Sequence, residues 1–144
     1  MYTFFKRTAP HPNLTTFDCP DANLTCVERQ TSNTPLQALT VLNNESFVEA
    51  FRALGKRMLA QTGDDSYRLA MAFRICVARQ PSQAEQRELH RLLADSLEWF
   101  RTHTEEAKKL VGSEKSGDVP IEALAAWTNT ARVLMNLDEF LTRE

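Results

Sequence analysis

From residue 34 onward, apolar residues recur at helical spacing and are separated by helix-capping signals. Phe47, Phe51, Leu54 and Met58 fall at positions i, i+4, i+7 and i+11, which places them on one buried stripe of a helix. Gly55 lies inside this helix and lowers its stability by about 1 kcal/mol relative to alanine. A tight crossing with another helix would explain the glycine, and so would simple tolerance. The pattern predicts a chain built from packed helices.

Residue types that cap helices place the predicted boundaries. Ser82 and Glu85 form a capping box, in which each side chain bonds the other residue's backbone N–H. The five other predicted helix starts lie at or beside Thr34, Asn44, Asp64, Thr104 and Pro120. We therefore predict an all-α domain of five or six packed helices over residues 34–144. Only four glycines occur, which argues against a turn-rich β sandwich.

Residues 1–33 show no helical period and are predicted to form an irregular arm that packs on the helical core. Pro10, Pro12 and Pro20 interrupt this segment. The expected anchors of the arm are its aromatic residues: Tyr2, Phe4, Phe5 and Phe17.

Charge and hydropathy exclude two classes of partner. The chain has 17 basic and 19 acidic residues, a balance that argues against a nucleic-acid-binding surface. No apolar run approaches the ~18 residues that span a bilayer, so no membrane insertion is expected. The opening "MYTFFKRTAPHP" places its charges after a short apolar run, unlike a signal peptide.

Three cysteines raise the question of a metal or disulfide site. Cys19 and Cys26 are seven residues apart, whereas zinc sites usually pair cysteines two to four apart and need four ligands. His11 is the only histidine in that segment, so no metal site is predicted. A Cys19–Cys26 disulfide in an oxidising compartment and two free thiols remain alternatives. Cys76 lies on an apolar helix face and is predicted to be a core residue.

The sequence contains no recognisable catalytic pattern. His11, His90 and His103 have no evident serine, cysteine or aspartate partner, and His90 is expected at the surface. A nucleophile elbow, a phosphate-binding loop and a dinucleotide fingerprint are all missing. No catalytic residue is therefore predicted for this chain.

Four stretches of the sequence resemble the Planctomycete surface domain, a domain of unknown function at the C-terminal end of large proteins. They are "YTFFKRTAPHPNLTTFDCPD", "CVERQTSNTPLQALTVLNNESFVEAFRAL", "RICVARQPSQAE" and "AAWTNTARVLMNLDEFLTRE". The run N-T-P-L-Q-A-L-x-x-L-N is specific to that family. The resemblance implies that the chain is the C-terminal part of a longer protein.

Members of the family often carry a signal peptide and a cytochrome-c-like domain upstream, and they are linked to complex polysaccharide breakdown. The resemblance therefore implies a non-catalytic helical module of an exported protein, located in the periplasm or at the cell surface. It implies haem in an upstream domain and no cofactor in this chain. The implied partners are the upstream domains and, through gene neighbourhood, sulfatase-like proteins.

The alternative is the C-terminal half of a catalytic domain, a hydrolase or oxidoreductase acting on carbohydrate, completed by upstream residues. His11, Asp18 and Arg29 would be its polar site. The family tends to have arginine where Gln30 stands, which weakens an anion-binding role there, and a small residue where Cys19 stands.

Four amides in the family-like stretches are expected to have structural roles instead. Asn33 and Asn44 are predicted at helix starts. Gln37 and Asn136 are predicted to bond backbone groups between packed helices, because a buried amide without a partner costs roughly 1–3 kcal/mol. Amides that line a sugar-binding cleft are the functional alternative.

Overall fold

The computed structural model describes residues 6, 8–20, 23–28, 32–112 and 119–142. None of these residues lies in a β-strand, and they form eight helices: α1 (Pro12–Thr16), α2 (Pro35–Asn43), α3 (Glu45–Leu59), α4 (Asp65–Val77), α5 (Gln83–Thr102), α6 (Thr104–Val111), α7 (Ile121–Leu134) and α8 (Asp138–Leu141). The predicted all-α class is confirmed. The predicted number of helices was too low, because the short helices α1 and α8 were not expected.

Side-chain caps begin the predicted helices at four of the expected places, and at α4 the Asp64 carboxylate accepts from the N–H of Tyr67. Thr34 and Gln37 form a capping box at α2, and Ser82 and Glu85 form the predicted box at α5. The Oδ1 atom of Asn44 accepts a bond from the N–H of Ser46 at the start of α3.

The cap predicted for the short helix before Gly112 was wrong. Thr104 is the first residue of α6, His103 occupies the N-cap position, and neither closes the helix start with a side-chain hydrogen bond.

Helix α7 lies at the centre of the packing, against α3, α5 and α6. The buried residues of α7 are Leu124, Ala125, Ala126, Trp127, Thr128, Thr130, Ala131 and Leu134. A Cβ atom on Gly55 of α3 would lie 3.0 Å from the backbone nitrogen and 3.1 Å from the Oγ1 of Thr128. The glycine therefore permits a close crossing of α3 and α7, and the structure favours this explanation over tolerance.

The N-terminal arm contains α1, where an irregular segment was expected. Asp18 follows α1 with φ of 54°, its N–H bonds the carbonyl of Thr15, and the N–H of Cys19 bonds the carbonyl of Leu14. This Schellman motif closes the helix.

One of the four predicted aromatic anchors of the arm can be placed. The Phe17 ring packs against that of Phe47 with ring centroids 5.8 Å apart. Tyr2, Phe4 and Phe5 lie outside the described residues.

Across the described ranges, no helix combines the length and the hydrophobicity that crossing a bilayer requires.

Candidate functional site

Arg79, just after α4, joins carboxylates from two other parts of the chain. Its Nη1 and Nη2 atoms donate to the two oxygens of Glu85 at 3.0 and 2.6 Å. Its Nε and Nη2 atoms also donate to Glu139 of α8 at 3.1 and 3.0 Å. The guanidinium carbon lies 4.9 Å from the centroid of the Phe73 ring, a cation–π distance. One arginine thus ties the end of α4 to the start of α5 and to α8.

These contacts shift two pKa values in opposite directions. Hydrogen bonds from Arg79, and then from the backbone and side chain of Ser82, lower the pKa of Glu85 to about 2. The bonds to Glu85 and then Glu139 raise the pKa of Arg79 further above its usual value. Glu85 and Arg79 therefore stay ionised across the neutral range, which suits an ion pair and not proton transfer.

A second contact brings the start of α2 to the same place. The Asn33 amide donates to the Asp138 carboxylate, 105 residues further along the chain. The hydroxyl of Thr142 also donates to Asp138, at 3.3 Å. Asn33 precedes the N-cap residue Thr34, so its side chain serves this link and not the helix start. We call Asn33, Arg79, Glu85, Asp138 and Glu139 the polar clamp.

A pocket of about 470 Å³ lies beside the polar clamp, and its walls include Cys76, Ala78, Arg79, Asp138 and Glu139. Burial raises the pKa of the Cys76 thiol to about 11. A thiol that stays protonated at neutral pH is a poor nucleophile. The clamp residues in the wall are already hydrogen-bonded, Arg79 to Glu139 and Asp138 to Asn33.

The two described residues of the predicted alternative polar site lie at opposite ends of α1. His11 is at the N-cap of α1, where its Nδ1 accepts from the N–H of Asn13 at 3.2 Å. Asp18 lies beyond the other end of α1, and its Oδ2 accepts from Ser32 at 2.5 Å. Arg29 lies outside the described residues.

Gln37 connects the arm to α2. Its side chain is buried, and its Nε2 lies 2.9 Å from the Thr16 carbonyl, 3.0 Å from the Ser32 hydroxyl and 3.2 Å from the Asp18 carboxylate. Its Oε1 accepts from the N–H of Thr34 at 2.9 Å. A single amide thus satisfies polar groups of three segments in a buried position.

Asn136 was predicted to bond backbone groups between packed helices, and no such bond to its side-chain oxygen is present in the described part of the chain. Its Oδ1 is buried without a hydrogen-bond partner among the residues the structure describes. Its backbone N–H donates to the carbonyl of Val133 at 3.1 Å.

A serine–histidine contact joins α4 and α5. The Oγ of Ser66 and the Nε2 of His90 are 2.9 Å apart, and both residues are half-buried. His90 was expected at the surface, and the structure places it half-buried beside Ser66 of α4. In the described part of the chain, the other ring nitrogen of His90 has no hydrogen-bonded acid to orient it.

The three cysteines are free thiols in this structure. Cys76 is buried in the core, as predicted. Cys19 is half-buried, and the thiol of exposed Cys26 donates to the carbonyl of Glu28 at 3.1 Å. Among the described residues, no group of three or more histidine, cysteine or acidic side chains could hold a metal ion.

Comparison with known families decides the affiliation of the chain. The model of the family described as PSD1, protein of unknown function (DUF1553), matches residues 1–93. The chain belongs to the PSD1 family. The family resemblance inferred from the sequence is thereby confirmed, although the PSD1 match ends within α5 and does not include α6, α7 or α8. A search of curated proteins and a search of solved structures each returned no match.

Proposed function

We propose that this chain is a non-catalytic helical module of an exported, cytochrome-c-associated protein that takes part in complex polysaccharide breakdown. Export to the periplasm or cell surface, haem in an upstream domain, and association with upstream domains and sulfatase-like proteins are inferred from the family resemblance. The non-catalytic role is inferred from the geometry of the polar residues.

The observation that carries this proposal is the self-contained bonding of those residues. Asn33 bonds Asp138, Arg79 bonds Glu139, and Gln37 lies within bonding distance of three groups on the arm. Polar groups that satisfy one another hold helices together and are not directed at a substrate. Arg79, the strongest donor in this set, already contacts two carboxylates.

Helix α2 supplies a surface that fits attachment to the rest of a larger protein. Leu36 and Leu39 lie on one face of the helix and are 62% and 56% exposed. Residues 34–44 include no charged side chain. Apolar side chains exposed beside uncharged neighbours favour contact with another folded domain.

Thermal unfolding of the 144-residue chain tests the structural role. Gln37→Ala should lower the unfolding free energy by roughly 1–3 kcal/mol, because it leaves buried polar partners unsatisfied. The matched control is Gln83→Ala, an exposed glutamine, which should change stability by less than about 0.5 kcal/mol. An unchanged melting temperature in Gln37→Ala, with polysaccharide processing lost in the longer protein, would contradict the proposal.

The alternative of a catalytic domain acting on carbohydrate keeps one observation in its favour. The Ser66–His90 distance of 2.9 Å is that of a nucleophile and its general base. Ser66→Ala should leave the turnover of the longer protein unchanged if the chain is non-catalytic. Loss of turnover with unchanged circular dichroism would support a hydrolase instead.

A further inference from the structure

A second pocket, separate from the polar clamp, lies where α5, α6 and α7 meet. It has a volume of about 440 Å³, and its walls include Trp99, Glu106, Lys109, Asn129 and Arg132. This size falls within the usual range of small-molecule sites. The proposed function gives this chain no ligand, so the chemistry of the pocket must be judged from its own side chains. We call it the Trp99 pocket.

Trp99 presents a partly exposed aromatic surface that packs against two neighbouring rings. Its side chain is 45% exposed, whereas the other tryptophan of the chain, Trp127, is 3% exposed. The His103 ring stacks on the indole at 4.2 Å with an interplanar angle of 7°, and Phe100 packs edge-on at 4.8 Å. An indole packed against two neighbouring rings loses less conformational freedom when a ligand stacks on it.

Arg132 brings an unsatisfied donor to the same pocket. Its Nε is buried and has no hydrogen-bond partner among the described residues. Its Nη2 lies 3.4 Å from the carbonyl of Leu42, at the end of α2. No carboxylate of the described residues lies within ion-pair distance of this guanidinium. Because Nε has no exposed surface, a ligand anion in the pocket would pair with the guanidinium through its terminal nitrogens and supply the charge partner that the guanidinium lacks among the described residues.

The other polar side chains fix the charge that the pocket can accept. Lys109 is bonded to Glu106 at 2.8 Å, so these two charges offset each other and Arg132 leaves one net positive charge. Asn129 donates its Nδ2 to Ser96 at 3.0 Å, which leaves its amide oxygen to accept from a hydroxyl group. The pocket therefore combines an aromatic face, a hydroxyl acceptor and a single positive charge.

We propose that the Trp99 pocket binds an acidic sugar unit, a pyranose ring with one singly charged group. The C–H face of a pyranose carries partial positive charge and stacks on the electron-rich indole face. A ring hydroxyl donates to Asn129, and a uronate carboxylate or a sulfate ester pairs with Arg132. A phosphate monoester carries close to two negative charges at neutral pH, more than this pocket balances.

Calorimetric titration of the 144-residue chain tests this proposal with four ligands: galacturonate oligosaccharides, sulfated galactan oligosaccharides, neutral galactan oligosaccharides and adenosine monophosphate. At least one acidic saccharide should bind about 10-fold or more tightly than the neutral one, the ratio expected for a charge-assisted hydrogen bond. Binding of the uronate alone or of the sulfated sugar alone identifies which acid group is recognised. Indole fluorescence should also change, because Trp99 is the exposed tryptophan of the two.

Matched variants separate the pocket from non-specific binding. Trp99→Ala and Arg132→Gln should each weaken binding about 10-fold or more. The controls are Tyr67→Ala, which removes another half-exposed aromatic residue, and Arg87→Gln, which removes an exposed arginine of α5. Both controls should bind as the unaltered chain does. Because Trp99 is half-exposed, Trp99→Ala keeps the test valid even if Arg132→Gln fails to fold.

Three results would overturn the proposal. They are equal affinity for neutral and acidic saccharides, tighter binding of adenosine monophosphate than of either acidic saccharide, and no binding of either acidic saccharide at about 10 mM. None of these results depends on the stability measurements at Gln37, so this proposal and the proposed function can fail separately.

Discussion

The crossing of α3 and α7 makes the effect of one added methyl group at Gly55 predictable. On helix propensity alone, Gly55→Ala should stabilise the chain by about 1 kcal/mol. The new Cβ would lie 3.0 Å from the nitrogen, 3.2 Å from the Cα and 3.1 Å from the Oγ1 of Thr128. Two of these atoms are helix backbone and cannot rotate away. The third belongs to a fully buried side chain that is held by a 2.7 Å bond to the carbonyl of Leu124.

A packing cost at the α3–α7 crossing opposes the gain in helix propensity. Inserting a methyl group into a well-packed interface typically costs about 1–3 kcal/mol. Subtracting the propensity gain leaves a net loss of about 0–2 kcal/mol, centred near 1 kcal/mol. For a chain of this size, a loss of about 1 kcal/mol corresponds to a fall in melting temperature of roughly 2–4 °C. Gly55→Val should cost more, because it places two further methyl groups in the same gap.

Urea denaturation followed by circular dichroism measures these differences. Ala53→Gly, at an exposed position of the same helix, is the matched control and should lose about 1 kcal/mol through propensity alone. If Gly55→Ala gains about 1 kcal/mol, equal and opposite to this control, the close crossing is not under steric constraint and the reasoning is refuted.

Three further predictions concern the polar clamp, the cysteines and the family boundary. The pKa of Glu85 is lowered in the folded chain, so its contribution to the free energy of unfolding is complete above the unfolded pKa of about 4.3 and is lost as pH falls toward about 2. Glu85→Gln should therefore reduce the fall in melting temperature over that pH range. At pH 8 a thiol reagent should modify exposed Cys26 rapidly and Cys76 only on unfolding, and equal rates would contradict the assigned burial. A chain ending at residue 93 should show no cooperative thermal transition by circular dichroism, whereas a sharp one would mean that the matched segment folds alone.

Helices with local start signals could be predicted from the sequence. The Ser82–Glu85 box and the Thr34–Pro35 start depend on residues at most three apart, so tertiary context hardly changes them. Helix α1 was missed because five residues cannot display a 3.6-residue period. Its cap is His11, which is not among the usual capping residues.

The polar clamp was beyond sequence reasoning for a different reason. Arg79 and Glu139 are 60 residues apart, and Asn33 and Asp138 are 105 apart. Helix periodicity says which face of a helix is buried, but not which two helix ends meet in space. Glu85 was predicted only as a capping residue, so its bonds to Arg79 were not predicted.

The end of the PSD1 match does not coincide with the end of the folded unit. Residues 1–93 include all of α3, yet the helix that covers α3 most closely is α7, which lies beyond the match. Phe51 and Met58 are buried residues of α3, and exposing side chains of this size costs roughly 1.5–3 kcal/mol each. The Arg79–Glu139 pair also has one partner on each side of residue 93. The matched part of this chain therefore forms surfaces that helices of its unmatched part cover.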